Sequence, residues 1–440
     1  MIISDITSYL NALDLISEDY GIIKHLIGPI RQHSDPNLIS YGVSTTSIAS
    51  LSYGDKYPPY FSPIIKSSGC GFDNDSAVMS TIGEVIERYC ALIYDESDFI
   101  TTSYDNIVGK TIDIESYALF HPTQYSLADF ELRPLTHDTE LTWTKAIDLT
   151  NGKEVLCPVQ FIYLGYAKDK IQINFPTSTG LAVHSDPYKA ILNCLYESVE
   201  RDSFTITWEN EIVPPKIEID ETIANFISEY FPVEYEWNIF DMTYDIKLPT
   251  VLCMCFGESE HGDFVIVSAA TRSDYSSAIK KAILEAGQGI PFIRWQLDER
   301  HDWNPKDFSE IKSFEEHPLF YQKNKDIWGI FEKYRKSQAT KTYRILDEHL
   351  NKLDEKNEVN RIIADFRDMG YNVLYKDLTT ADIKDKGFYA VRIYIPQLIQ
   401  LGGVYPYYYK GGKRLYEVPI EFGFNKKNIT ELNPFPHPFP

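Results

Sequence analysis

Apolar residues recur at helical spacing in three segments that also share a polar signature. In the first, Val78, Ile82, Val85, Ile86 and Tyr89 fall on one side of a helix advancing about 100° per residue. Ser80, Glu84, Glu87 and Arg88 fall on the other side. In the second, Ile191, Leu195 and Val199 stand opposite Asn193, Glu197, Glu200 and Arg201. In the third, Ile279 and Ile283 stand opposite Lys281, Glu285 and Gln288. Each segment opens on an Asp (Asp73, Asp186, Asp274), with an Ala four residues on (Ala77, Ala190, Ala278). An Asp in that position is predicted to cap the helix or to sit in its first turn, near the positive end of its dipole. One pattern in three copies predicts an internal repeat.

Outside these helices, Leu38–Val43, Pro249–Phe256 and Asp263–Val267 read as strands. Residues 359–397 read as helix–turn–strand units ending in FYAVRIYIP. The chain divides into an N-terminal segment (1–65), a core (66–300), a polar, helix-prone insertion (301–358) and a C-terminal part (359–440) ending in a Pro-rich tail. The predicted class is α/β (α+β), with repeated helix-on-sheet units and a helical insertion.

Composition narrows the function. With 42 Lys plus Arg against 64 Asp plus Glu, the formal charge is −22. That argues against a non-specific nucleic-acid binder, which needs a basic face. It does not exclude ATP, because a cation can bridge phosphate to carboxylates. The 43% hydrophobic content is that of an ordinary folded chain. Six scattered Cys without a CxxC pair predict free thiols in a reducing cytosol rather than a zinc site. No signal peptide and no membrane helix are expected from the acidic N-terminus and the short apolar runs.

A polar face opposite an apolar one is ordinary for a single surface helix. The repetition points to shared chemistry. Glu84 with Glu87, and Glu197 with Glu200, put like charges about one turn apart, which is unfavourable without a partner. If the three helices converge, Glu285 joins them, and a cluster of five carboxylates needs cations. Hard oxygen ligands select Mg²⁺ or Ca²⁺, and Mg²⁺ commonly bridges a few carboxylates to substrate phosphates. Arg88, Arg201 and Lys281 would meet phosphate oxygens or balance the acids. GxxxxGK[ST], HExxH and GxSxG are all missing, so a nucleotide site here is of another type.

These motifs are recognisable. Ser80 to Arg88 (SxxxExxER), Asn193 to Arg201 (NxxxExxER) and Glu285 to Gln288 (ExxQ) resemble the three ATP-binding motifs of the YcaO family. The lead-ins Ser67–Gly71 and Thr177–Ala182, and Glu200-Arg201-Asp202, resemble it too. The resemblance implies an ATP and Mg²⁺ site with Glu84, Glu87, Glu197, Glu200 and Glu285 on the metal. Ser80, Arg88, Asn193, Arg201, Lys281 and Gln288 would touch nucleotide or order the ligands. It also implies a cyclodehydratase that turns Cys, Ser or Thr of a ribosomal precursor peptide into thiazoline or oxazoline. Pro434 to Pro440 resembles the PxPxP ending of azoline-forming members, which would make the Pro440 carboxylate a proton acceptor beside Arg88 and Arg201.

Three departures stand out: Cys70 where relatives carry Lys in a GKG loop, Lys189 near an acid of some relatives, and Lys281 for Arg. Residues 1–65 are too short for a ubiquitin-activating-like domain, so the resemblance implies a separate leader-binding partner of that type. It further suggests a flavin-dependent azoline dehydrogenase and allows a homodimer. Thioamide or amidine formation, and a non-catalytic scaffold, are the competing readings.

Overall fold

The computed structural model describes residues 6–28, 30–47, 65, 67–350 and 352–439. Three sheets carry the described strands. Strands β1 (Ile23–Ile27), β2 (Ile39–Thr45) and β3 (Ser68–Gly71) form an antiparallel ribbon. A second sheet runs in the order β4 (Ile100–Ser103), β5 (Glu140–Asp148), β13 (Leu374–Asp377), β14 (Tyr389–Tyr394), β7 (Leu181–His184), with β6 (Lys153–Pro158) also paired to β5. The third runs β11 (Gly262–Thr271), β10 (Thr250–Ser259), β9 (Glu236–Asp241), β8 (Lys216–Ile217), β12 (Ala339–Lys341).

The hairpin β10–β11 shows why its sequence reads as near-continuous apolar runs. Leu252, Met254 and Phe256 enter one core cluster, and Val251, Cys253 and Cys255 enter another. Both faces of the sheet are covered, so neither alternate set needs to be polar.

Each repeat copy is a strand, a capping Asp and a long helix. β3 leads into α1 (Asn74–Leu92), β7 into α2 (Pro187–Glu209) and β11 into α3 (Tyr275–Glu299). The Asp is in extended conformation each time. Its carboxylate accepts from Ser76 N–H at 2.8 Å, from Tyr188 and Lys189 N–H at 2.8 and 3.2 Å, and from Ser277 N–H at 2.7 Å. The predicted N-caps are therefore caps, which satisfy backbone donors that a helix start leaves free. The predicted apolar stripes face the core. Val78, Ile82, Val85 and Ile86 are buried, as are Leu195, Val199, Ile279 and Ile283.

Residues 301–358 hold short helices, among them α4 (Glu316–Lys323), and also the strand β12, which pairs in parallel with β8. Tyr321, Phe331 and Tyr334 of this segment enter the main core cluster, so it is woven into the body. Helix α5 (Glu355–Asp368) buries Val359, Ile362 and Phe366 in a cluster with Leu195 and Val199 of α2. Helix α6 (Arg414–Glu421) packs on α2. All six Cys are free and buried. No helix among the described residues is long and apolar enough to cross a membrane.

Candidate active site

The acidic stripes of the three helices meet. On α1, Arg88 lies 3.3 Å from Glu84 and 3.8 Å from Glu87. On α2, Arg201 lies 3.5 Å from Glu197 and 3.7 Å from Glu200. On α3, Lys281 lies 3.0 Å from Glu285. Each cation thus holds the acids of its own helix. Ser80 and Asn193 sit one turn ahead, on exposed positions.

Charge links the helices to one another. Burial pushes the Glu87 carboxyl well above the usual range; Arg88 opposes this, while Glu197 of α2 and Glu84 add to it. Burial likewise raises Glu200 to about 8 against the pull of Arg201, and repulsion from Glu285 of α3 and from Glu197 adds to the rise. The five acids therefore form one repelling chain across three helices. They descend from rim to floor: the Glu84 side chain is 34% exposed, Glu87 18% and Glu200 7%. The faces opposite the apolar stripes are inner walls of a cleft, not solvent faces. Cutting Glu200 back to Ala would therefore leave a void, contrary to what the helical wheel suggests.

Neighbouring elements supply partners that spacing could not show. The Gly180 N–H donates to Glu197 Oε2 at 3.0 Å, so the Gly turn before β7 fixes the rotamer of a site acid. Arg392 of β14 is buried and donates to the carbonyls of Phe161 and Thr177. Its charge acts on both Glu197 and Glu87. The only sequence signal was an Arg inside the apolar run FYAVRIYIP. Gln288 donates to Ser68 O and Oγ at 3.2 and 3.1 Å and lies 3.3 Å from Cys70 Sγ, so it ties α3 to β3. A cavity of about 220 Å³ opens beside Gln288, Cys70 and Tyr41. Asp202, next to Arg201, turns the other way. Its carboxylate accepts from Arg414, which also binds Asp245.

The tail reaches this cleft. Asn433 N–H donates to Glu209 O, Trp208 Nε1–H donates to Phe435 O, and Phe439 packs on Phe204. The chain thus climbs α2 against its direction until the Phe439 ring lies 4.3 Å from the Arg201 guanidinium. Pro440 is outside the described residues.

Among the described residues, no three His, Cys, Asp or Glu side chains are gathered closely enough to hold one ion. The donor set still suits Mg²⁺, being all carboxylate oxygen. Arg88 Nε and Arg201 Nη1 are buried without a hydrogen-bond partner among the described residues. Buried cationic donors left open at the mouths of acid clusters fit a phosphate better than they fit solvent.

Residues 68–399 match the family described as YcaO cyclodehydratase, ATP- and Mg²⁺-binding. A curated relative, the uncharacterized protein in the tfuA 3′ region of Rhizobium leguminosarum bv. trifolii, is 25% identical over 260 residues. That match covers 55% of this chain and 58% of the relative, so the chain spans little more than half of that protein's length. Among solved structures, a heterocyclase in complex with substrate and cofactor superposes with a TM-score of 0.76 at 21% identity, over 98% of this chain and 57% of that one. The YcaO protein of Methanopyrus kandleri bound with AMPPCP and Mg²⁺ superposes at 0.63 and 15% identity, over 89% and 90%. At these identities the likeness is one of fold.

Proposed function

The chain belongs to the YcaO family of ATP- and Mg²⁺-binding cyclodehydratases, and from that premise we propose that it forms azolines in a ribosomally made peptide. The Cys, Ser or Thr side chain adds to the carbonyl carbon of the preceding amide. The former amide oxygen takes the γ-phosphoryl group of ATP, and ADP leaves. Loss of phosphate, with departure of the amide proton, gives the C=N bond of a thiazoline or oxazoline. An amide oxygen is a poor leaving group and a phosphate ester is a good one, so the protein's task is placement and charge stabilisation.

In this reading Glu84, Glu87, Glu197, Glu200 and Glu285 would hold Mg²⁺, which would supply positive charge to offset that of the phosphates. Arg88 and Arg201 turn from their acids to the phosphoryl group as it moves. Ser80, Asn193, Lys281 and Gln288 contact nucleotide or order the ligands. The proton leaving nucleophile or amide would pass to a base that the Pro-rich tail brings toward Arg201. A leader-binding partner would deliver the peptide, and a flavin enzyme could oxidise the ring afterwards. The observation that carries the reading is the meeting of three acid-and-cation helices with a Pro-rich tail that ends its described course at Arg201.

The test is mass spectrometry of a Cys- and Ser-containing precursor peptide incubated with the chain, the leader-binding partner, ATP and Mg²⁺. Loss of one water per ring, with one ADP and one phosphate formed, is the expected result. A thioamide or amidine product mass, or no ATP turnover, would overturn it.

A further inference from the structure

His437 sits in the middle of the buried tail and ties it to two other segments. Its ring stacks on His317 of α4, with centroids 3.8 Å apart and planes within 2°. Its Nε2 lies 2.7 Å from the Gly402 carbonyl oxygen, in the loop after β14. Its Nδ1 lies 3.1 Å from the Phe439 carbonyl oxygen. His317 Nδ1 in turn lies 2.9 Å from the His437 carbonyl oxygen. Tyr321, one turn along α4, donates to the Pro436 carbonyl. Both imidazoles are buried.

A neutral imidazole carries one N–H. Burial holds His437 well below its ordinary range, and His317 and Arg201 push the same way, while the carbonyls of Gly402 and Phe439 push back. The shorter contact, to Gly402, takes its proton. Nδ1 faces the Phe439 carbonyl oxygen at 3.1 Å, a second and longer contact. The ring is thus anchored at Nε2, stacked on His317 by its face, and in contact through Nδ1 with the backbone that follows it. That backbone carries Phe439 to its place 4.3 Å from the Arg201 guanidinium. The prolines at 436 and 438 stiffen the segment on either side of His437, so a small rotation of the ring moves the end of the tail as a unit.

We propose that His437 is a positioning residue for turnover: its Nε2–H bond to Gly402 and its stack on His317 set where the end of the tail meets Arg201. Its ring is buried among protein groups, so it would act through the tail. The proposal rests on the azoline-forming reading for its kinetic consequence, though not for its structural one. Its signature is a loss in kcat without a matching loss in nucleotide affinity, because the acids of the three helices remain in place.

The experiment compares His437→Phe, which keeps a stacking ring and loses the donor, with His437→Gln, whose amide nitrogen can reach the place of Nε2. His437→Phe should lower kcat for azoline formation about tenfold or more, with affinity for Mg²⁺·ATP unchanged within about twofold. His437→Gln should recover most of the rate. Hydrogen exchange over residues 429–439 should rise in His437→Phe and return toward wild type in His437→Gln. Wild-type kcat in His437→Phe would overturn the proposal. So would a fall in melting temperature and ATP affinity in step with kcat, which would mark a residue that only holds the fold. If the wild-type chain makes no azoline, the functional reading fails by itself. Unchanged tail exchange in His437→Phe would then still sink the clamp, and raised exchange would sustain it.

Discussion

Glu200 combines three conditions: a side chain 7% exposed, an arginine 3.7 Å away, and two further carboxylates within repelling distance. Its affinity for a proton is raised in the folded chain, to about 8. An acid whose folded value lies above its unfolded one binds more protons when folded. Its contribution to stability is therefore complete below the ordinary carboxylate range and is lost as pH rises toward 8. Melting temperature of the nucleotide-free protein should fall across that window, and Glu200→Gln should flatten the slope and melt higher at pH 8. The same variant should lose Mg²⁺·ATP affinity in isothermal titration, since a neutral amide ligates Mg²⁺ poorly. A Glu200→Gln protein that melts no higher at pH 8 and still binds Mg²⁺·ATP would refute the assignment of this acid. Stability is given up here to crowd like charges in a cleft, a common pattern at functional sites.

At the level of elements, one arrangement recurs: a short strand, an Asp cap, and a helix whose first turn lies close to the strand. Close approach of backbones explains two glycines, one against the helix and one against strand β14. A Cβ on Gly71 would stand 2.7 Å from Ala77 N. Gly180 has a φ of 82°, and a Cβ there would run into the carbonyl oxygen of Ile393. Gly180→Ala should therefore cost roughly 1–3 kcal/mol in urea denaturation. It should also weaken nucleotide binding, because the amide that holds Glu197 moves; unchanged binding would show that the Gly180 amide is dispensable. The three helices, their caps and their apolar stripes were legible because they are local, with 3.6-residue periodicity and a repeated cap. The depth of the cleft was not. Glu87 and Glu84 look equivalent on a helical wheel, and only packing against a second helix separates them. Arg392 was hidden for the same reason, since a cation in an apolar strand signals a partner without naming it. The strand β12 was missed because its environment, an open edge beside β8, lies more than a hundred residues away.

Across the whole molecule, Arg414 of α6 joins Asp202 of α2 to Asp245, with all three groups buried or nearly so. Arg414→Ala would leave Asp202 buried without its counter-charge, and a loss of about 3–5 kcal/mol in chemical denaturation is expected. A loss below about 1 kcal/mol would show that water or another cation replaces it. The tail offers a different kind of test. Deleting residues 438–440 should cut azoline formation sharply while Mg²⁺·ATP affinity changes little, because the carboxylate helices do not depend on it. Wild-type cyclisation by the deleted chain would remove the tail from the chemistry. Order of synthesis gives this arrangement one more consequence. Residues 433–439 leave the ribosome after all three acidic helices, yet they lie along the middle one. A nascent chain that stalls before Asn433, or a mature one nicked there by a protease, would keep a nucleotide-holding shell with Phe204, Trp208 and His317 uncovered. On the azoline-forming reading, ring formation would then wait for residues 433–439 to settle along the middle helix, and a nicked copy would hold nucleotide without turning it to use.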